Sequence, residues 1–178
     1  IDRAVVCGCS LGGMIALGLA ANHPERLTGA VLANTGAKIG TDRSWDARLA
    51  AVRAGGTAAI VENVVRRFVT PEFRARDPDA TALIRAMLEA TNPDGYIAAC
   101  EALRAADLRA AAKTVCLPVM IVASERDQST PPVLAHELHA SIGGSELVLI
   151  PDAAHLSNVE QPAAFNAALR RFVGRAFM

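Results

Sequence analysis

The pentapeptide Gly8-Cys9-Ser10-Leu11-Gly12, followed at once by Gly13, constrains this chain more than any other feature. A short apolar run, Ala4-Val5-Val6-Cys7, precedes it, and an apolar stretch from Met14 to Ala21 follows. The run reads as a strand and the stretch as a helix. A strand that turns sharply through G-x-S-x-G into a helix lifts the serine hydroxyl above the sheet edge. The turn strains the serine backbone by roughly 1–3 kcal/mol, which persists only where the surroundings enforce it. Glycine at 8 and 12 is expected because a Cβ at either place would crowd the turn. Gly13 is expected to let the helix approach the strand. Alone, the pentapeptide is more often a glycine-rich turn carrying a solvated serine.

The rest of the chain breaks that tie. An activated serine in this setting needs an acid and then a histidine, in that chain order. Val119–Ser124 is a buried-strand pattern, and Glu125-Arg126-Asp127 follows it. Leu147–Ile150 is a second such strand, followed by Pro151-Asp152-Ala153-Ala154-His155. Each candidate therefore stands past the carboxyl end of a different strand, where sites of open α/β sheets lie. Ser10 is the nucleophile in this reading, and it needs an adjacent base. His155 can take its proton near neutral pH. Asp127 would hold the imidazole tautomer and stabilise the imidazolium. Glu125 and Asp152 are rival acids. Asp127 is preferred because a few residues of loop are needed to swing a carboxylate to the histidine. His23 reads as a loop residue, and His136 and His139 as surface positions of a helix starting near Pro131-Pro132. No His, Cys and acidic cluster has metal-ligand spacing, so no metal is expected.

With those residues in place, the chain resembles the α/β-hydrolases, and among them the 3-oxoadipate enol-lactonases. The resemblance is carried by the elbow Cys7–Met14, by Val31–Thr41, by Thr91–Ala102 with Asp107–Arg109, and most closely by Ala153–Pro162. It implies the C-terminal part of an α/β-hydrolase fold: a mostly parallel sheet flanked by helices, with a helical lid inserted. The family's proteins are longer at the N-terminus. The resemblance thus implies that the first strands, and the loop giving one oxyanion-hole N–H, belong to a missing N-terminal segment or to another polypeptide, as in a homo-oligomer. The Leu11 backbone N–H, just after the nucleophile, is the other expected donor. Without the missing strands the chain is expected to fold and catalyse poorly, with Ala4–Cys7 an unpaired strand edge.

Composition agrees with an enzyme domain. The 178 residues suit one domain with a sizeable core, and 52% are apolar. With 18 basic and 18 acidic side chains, the formal charge is zero. That balance gives no footprint for nucleic acid or an anionic membrane, yet leaves room for a local basic pocket. Cysteines at 7, 9, 100 and 116 are scattered, which suits a reduced, cytoplasmic protein rather than a disulfide framework. Cys9 reads as a packing choice, Cys100 as part of a helix and Cys116 as the start of a strand. No apolar segment is long enough to span a membrane.

The organisation reads as core, lid, core: residues 1–40, 41–112 and 113–178. The first part holds the elbow and a strand at Ala30–Asn34. The middle holds helix windows at Asp46–Ala54, Ala58–Phe68, Ala80–Ala90 and Gly95–Leu103. Gly55-Gly56, Thr70-Pro71, Asp77-Pro78 and Asn92-Pro93 separate them. The sheet pattern resumes at Val115, and Pro162–Val173 carries a docking face of Ala164, Phe165, Ala168, Leu169 and Phe172. In the lid, Trp45 and Arg48 share a helix face. Together they suit a flat ring bearing a carboxylate. The plain alternative is a half-buried tryptophan with a solvated arginine along it. Arg66-Arg67 reads as a solvated helix face, and Arg43 is a weaker substrate contact.

The family resemblance implies a serine hydrolase that opens 3-oxoadipate enol-lactone, with no cofactor, a small-molecule ester or lactone as substrate, and a homo-oligomer or the missing N-terminal segment as a further partner. The alternatives are another small esterase or perhydrolase of the same fold, or a non-catalytic half lacking an oxyanion hole.

Overall fold

The computed structural model describes residues 2–176. Four strands, β1 (Ala4–Cys9), β2 (Leu27–Ala33), β3 (Val119–Ser124) and β4 (Glu146–Ile150), form one sheet in the order β1-β2-β3-β4. Every pair is parallel. Parallel neighbours require crossovers, and helices supply them. The short ones are α1 (Leu11–Asn22) and α8 (Pro132–Ser141); the long one is the stretch between β2 and β3.

Side chains alternate across the sheet and sort into two cores. Ala30, Leu32, Val119, Ile121 and Ala123 face α1 and α8, meeting Ala16, Leu17, Ala135 and Leu138. Val31, Ala33, Met120 and Val122 face the other way, against Phe165, Ala168 and Phe172 of α10 (Pro162–Ala176). Ala164, expected on that docking face, is exposed. β2 and β3, covered on both faces, are almost wholly buried, whereas the outer strands β1 and β4 are only partly so.

Between β2 and β3 lie helices only: α2 (Asp42–Gly55), a 3₁₀ turn at Thr57–Ile60, α3 (Val61–Phe68), α4 (Pro71–Arg76), α5 (Pro78–Glu89), α6 (Pro93–Ala105) and α7 (Arg109–Ala112). The single helix expected over Ala58–Phe68 is this 3₁₀ turn followed by α3. Thr70, Asp77 and Asn92 each precede a proline and cap α4, α5 and α6 by accepting a backbone N–H. β3 begins at Val119, so neither Val115 nor the exposed Cys116 opens a strand. The helical segment docks at two places. Trp45 and Leu49 of α2, with Cys100 of α6, pack on Met14 of α1. Val61, Val65, Val69 and Phe73 pack with Leu156 and Val159, just past β4.

Candidate active site

Ser10 links β1 to α1 with φ 56° and ψ −117°, a left-handed backbone that a residue with a Cβ rarely adopts. The surroundings hold it there. Its N–H donates to Ala33 O (2.9 Å), while its carbonyl accepts from Met14 N (3.1 Å) and Thr35 Oγ1 (2.7 Å). Gly8 is needed as expected: a Cβ there would lie 2.0 Å from Gly12 O. Gly12 is not, because a Cβ there would have nothing within 4 Å. The close approach is made by its carbonyl, so only the Gly8 side must lack a side chain. Gly13 does permit a close approach, but to the loop after β2: its Cβ would meet Thr35 Cγ2 at 2.6 Å.

Asp127, three residues past β3, meets His155 in the loop past β4. His155 Nδ1 lies 2.8 Å from Asp127 Oδ2, and both residues are about 97% buried by side-chain area or more. A carboxylate only accepts, so Nδ1 donates and the imidazole lone pair falls on Nε2. Asp127 is richly served. Its Oδ1 accepts from Ser129 N (2.7 Å) and Thr130 N (3.0 Å), and its Oδ2 from Thr130 Oγ1 (2.6 Å) and Asn34 Nδ2 (3.1 Å). Burial pushes this carboxyl up, but the hydrogen bonds and charge of His155 and the bonds from Thr130 outweigh it and hold it below the usual carboxylate range. Glu125 and Asp152, the rival acids, are exposed. His23, His136 and His139 are exposed too.

Ser10, Leu11 and His155 line one cavity of about 250 Å³. Trp45, Arg48, Phe68 and Tyr96 line the same cavity. Leu11 is the first residue of α1, so its N–H has no intrahelical acceptor and is free to meet an anion. Trp45 is more deeply buried than expected, and its Nε1 donates to Ile39 O (2.8 Å). The Arg48 guanidinium stands 5.2 Å from the indole centroid, within reach of a cation–π contact. Arg66 is exposed as expected, but Arg67 is not on a merely solvated face: it is half-buried and lines the cavity. Arg48 and Arg67 form no ion pair among the described residues, and no carboxylate lines the cavity. Arg43 is exposed and is not among the lining residues. Cys9, beside the serine, is mostly enclosed; burial first, and then the charges of Asp127 and Cys7, push its thiol up to about 12.

Sequence reasoning missed Asn34, the buried residue just past β2, with φ 43°. Its amide donates to Ser124 Oγ (2.7 Å) as well as to Asp127, and its Oδ1 accepts from Ser157 Oγ (2.8 Å). It also missed Phe68, whose ring centroid lies 5.0 Å from that of His155. The available signal for Asn34 was its position: a polar residue closing an apolar strand at the sheet edge that carries Ser10 and Asp127.

The model of the alpha/beta hydrolase family matches residues 1–168 of this sequence. The chain belongs to the alpha/beta hydrolase family. Among family relatives, 3-oxoadipate enol-lactonase 2 of Acinetobacter baylyi is 36% identical over 175 residues, covering 98% of this chain and 65% of the relative. The crystal structure of the enol-lactonase from Burkholderia xenovorans LB400 superposes with a TM-score of 0.95 at 35% identity, covering 98% of this chain and 66% of that one. A pimeloyl-[acyl-carrier protein] methyl ester esterase of Neisseria meningitidis is 30% identical, with 96% of this chain and 69% of the relative covered. The alpha/beta hydrolase described here thus spans about 65% of the length of the enol-lactonases it matches. Among its described residues no helix is long and apolar enough to cross a membrane.

Proposed function

We propose that this protein is a serine hydrolase that opens 3-oxoadipate enol-lactone to 3-oxoadipate, a step of aromatic-acid degradation in the cytoplasm. The observation that carries this reading is one cavity lined by Ser10 in a strained turn, by His155 on a buried Asp127, and by two unpaired guanidiniums. Those guanidiniums, with the Trp45 face, suit a small flat ring that bears a carboxylate. The Acinetobacter baylyi relative quoted above is named for this substrate.

In this mechanism Ser10 Oγ attacks the lactone carbonyl while His155 Nε2 takes its proton. The oxyanion forms against the Leu11 N–H. The ring C–O bond breaks, the departing enolate takes up the proton held by His155 and tautomerises to the ketone, which leaves the imidazole neutral again and makes acylation nearly irreversible. His155 then activates a water that frees the acid and restores Ser10. Asp127 stays ionised throughout and stabilises the imidazolium. Residues 41–112 act as a lid over the two core segments, 1–40 and 113–178, and carry the groups that select the substrate.

Ser10→Ala should abolish fluorophosphonate labelling and cut lactone turnover by several orders of magnitude while the circular dichroism spectrum is unchanged. A variant that keeps a tenth of the rate would remove Ser10 from the role. The likeness to a methyl ester esterase favours a second reading, a carboxylesterase for another small acid's ester. That reading gains if esters without a free carboxylate are turned over as fast as the lactone.

A further inference from the structure

Glu160 is a buried carboxylate that the mechanism above does not use. It ends the short helix α9 (Ser157–Glu160), is 3% exposed, and forms no ion pair among the described residues. Taking a carboxylate out of water without a cation is costly, and hydrogen bonds must offset it. Three do. Oε1 accepts from Ala154 N (2.6 Å), and Oε2 accepts from both Thr70 N (2.8 Å) and Thr70 Oγ1 (2.6 Å).

The two anchor points are informative. Ala154 immediately precedes His155. Thr70 lies two residues past Phe68, whose ring packs on the imidazole. On the other side of the histidine, Leu156 N donates to Phe68 O (2.9 Å). The amides flanking His155 are thus both bound, one by Glu160 and one by the end of α3. The Thr70 hydroxyl also caps α4 by accepting from Phe73 N (3.2 Å), so Glu160 reaches α4 as well.

We propose that Glu160 is a positioning residue for His155, clasping the helical lid to the histidine loop so that the imidazole and the lid are set as one unit. The proposal rests on His155 being the base, but not on the identity of the ester. Only a group that accepts on both oxygens fits the three donors. A glutamine offers an NH₂ to one side, so either Ala154 or Thr70 loses its partner. The imidazole then keeps Asp127 but loses the fixed backbone that aims it.

The test uses a neutral aryl ester and the rate of fluorophosphonate labelling, both of which need His155 but no substrate carboxylate. Glu160→Gln should lower kcat and the labelling rate together by roughly 10- to 100-fold, since small misplacements of a reacting group cost on that order. KM for the aryl ester should stay within about twofold, as expected for an interaction expressed in the transition state. Thr70→Val, which deletes only the hydroxyl, should cost about 3- to 10-fold, the equivalent of one ordinary hydrogen bond. The double variant should lose less than the product of the two, as groups in one network do. If Glu160→Gln does not fold, Thr70→Val decides by the same criterion. A purely structural Glu160 would lower the melting temperature and leave kcat per labelled molecule within twofold of the unsubstituted protein, which overturns the proposal. An unsubstituted protein that takes no label overturns the triad, and the clasp with it.

Discussion

Asn34 Nδ2 reaches Asp127 Oδ2 at 3.1 Å across 93 positions of sequence, joining the carboxyl end of β2 to the loop after β3. The same amide side chain serves Ser124 and Ser157, so three segments are held by one residue. Asn34→Ala should therefore lower kcat/KM by roughly 10-fold or more, since a hydrogen bond to a charged group contributes about 1.5–3 kcal/mol. Ser157→Ala, which touches Asp127 only through Asn34, should cost less. Steady-state kinetics on an aryl ester would check the order, and equal losses would count against Asn34 as the hub.

Asp127→Asn should reduce turnover by on the order of 10⁴, the cost of the comparable change in another Ser-His-Asp triad. Glu125→Gln and Asp152→Asn alter exposed side chains and should leave the rate within about twofold. An inactive Glu125→Gln beside an active Asp127→Asn would reverse the assignment.

The same carboxylate predicts a pH dependence of stability. Its folded pKa lies below the unfolded value, so the unfolded state binds the proton more readily. Its contribution is complete above an unfolded value of about 4 and is lost as pH falls through the lower folded value. The gap in melting temperature between the unsubstituted protein and Asp127→Asn should then narrow as pH is lowered below about 4. A gap that widens on acidification would contradict the sign.

Arg48→Ala should raise KM for the carboxylate-bearing lactone, roughly 10-fold or more if the contact is charge-assisted. Hydrolysis of a neutral aryl ester should barely change. Arg67→Ala should act in the same direction, because its guanidinium lines the same cavity. A uniform effect on both substrates would mean that these arginines act through packing of the helices.

Two glycines of the elbow should behave oppositely. Gly8→Ala places a Cβ against the Gly12 carbonyl and should destabilise by about 3 kcal/mol, the upper end of overpacking costs. Gly12→Ala enters open space inside a helix and should be neutral or stabilising by up to about 1 kcal/mol. Thermal melts of the two variants would decide.

The meeting of Asp127 with His155, and of His155 with Ser10 at one cavity, was legible because each of the three stands just past a strand whose apolar run is unmistakable; Val119–Ser124 was read to the residue. Thr70, Asp77 and Asn92 were legible as breaks because a proline follows each, and all three prove to be caps. Helix α2 begins four residues earlier than its apolar pattern suggested, since its first turn is polar: Thr41 and Ser44 cap it with hydroxyls and Asp42 is its first residue. The helices α4, α7 and α9 are too short to show a period. Asn34 and Glu160 escaped for a different reason. The Asn34 side chain bonds only partners 90 or more positions away and Glu160 bonds Thr70 at 90, and no local pattern encodes such a contact. Arg67 escaped because a helix's charged residues look alike until the neighbouring helices are placed.

The raised Cys9 thiol has a consequence for selectivity among nucleophiles. A thiol at about 12 leaves roughly one molecule in 10⁵ as thiolate at pH 7, and the thiolate is the reactive form. Although sulfur is intrinsically the better nucleophile and Cys9 stands one residue from Ser10, so small a thiolate fraction should keep it from competing with the serine. Nor should mild oxidants or alkylating agents find a handle there. The protein can thus place a sulfur beside the proposed nucleophile without offering a second reactive group at that spot.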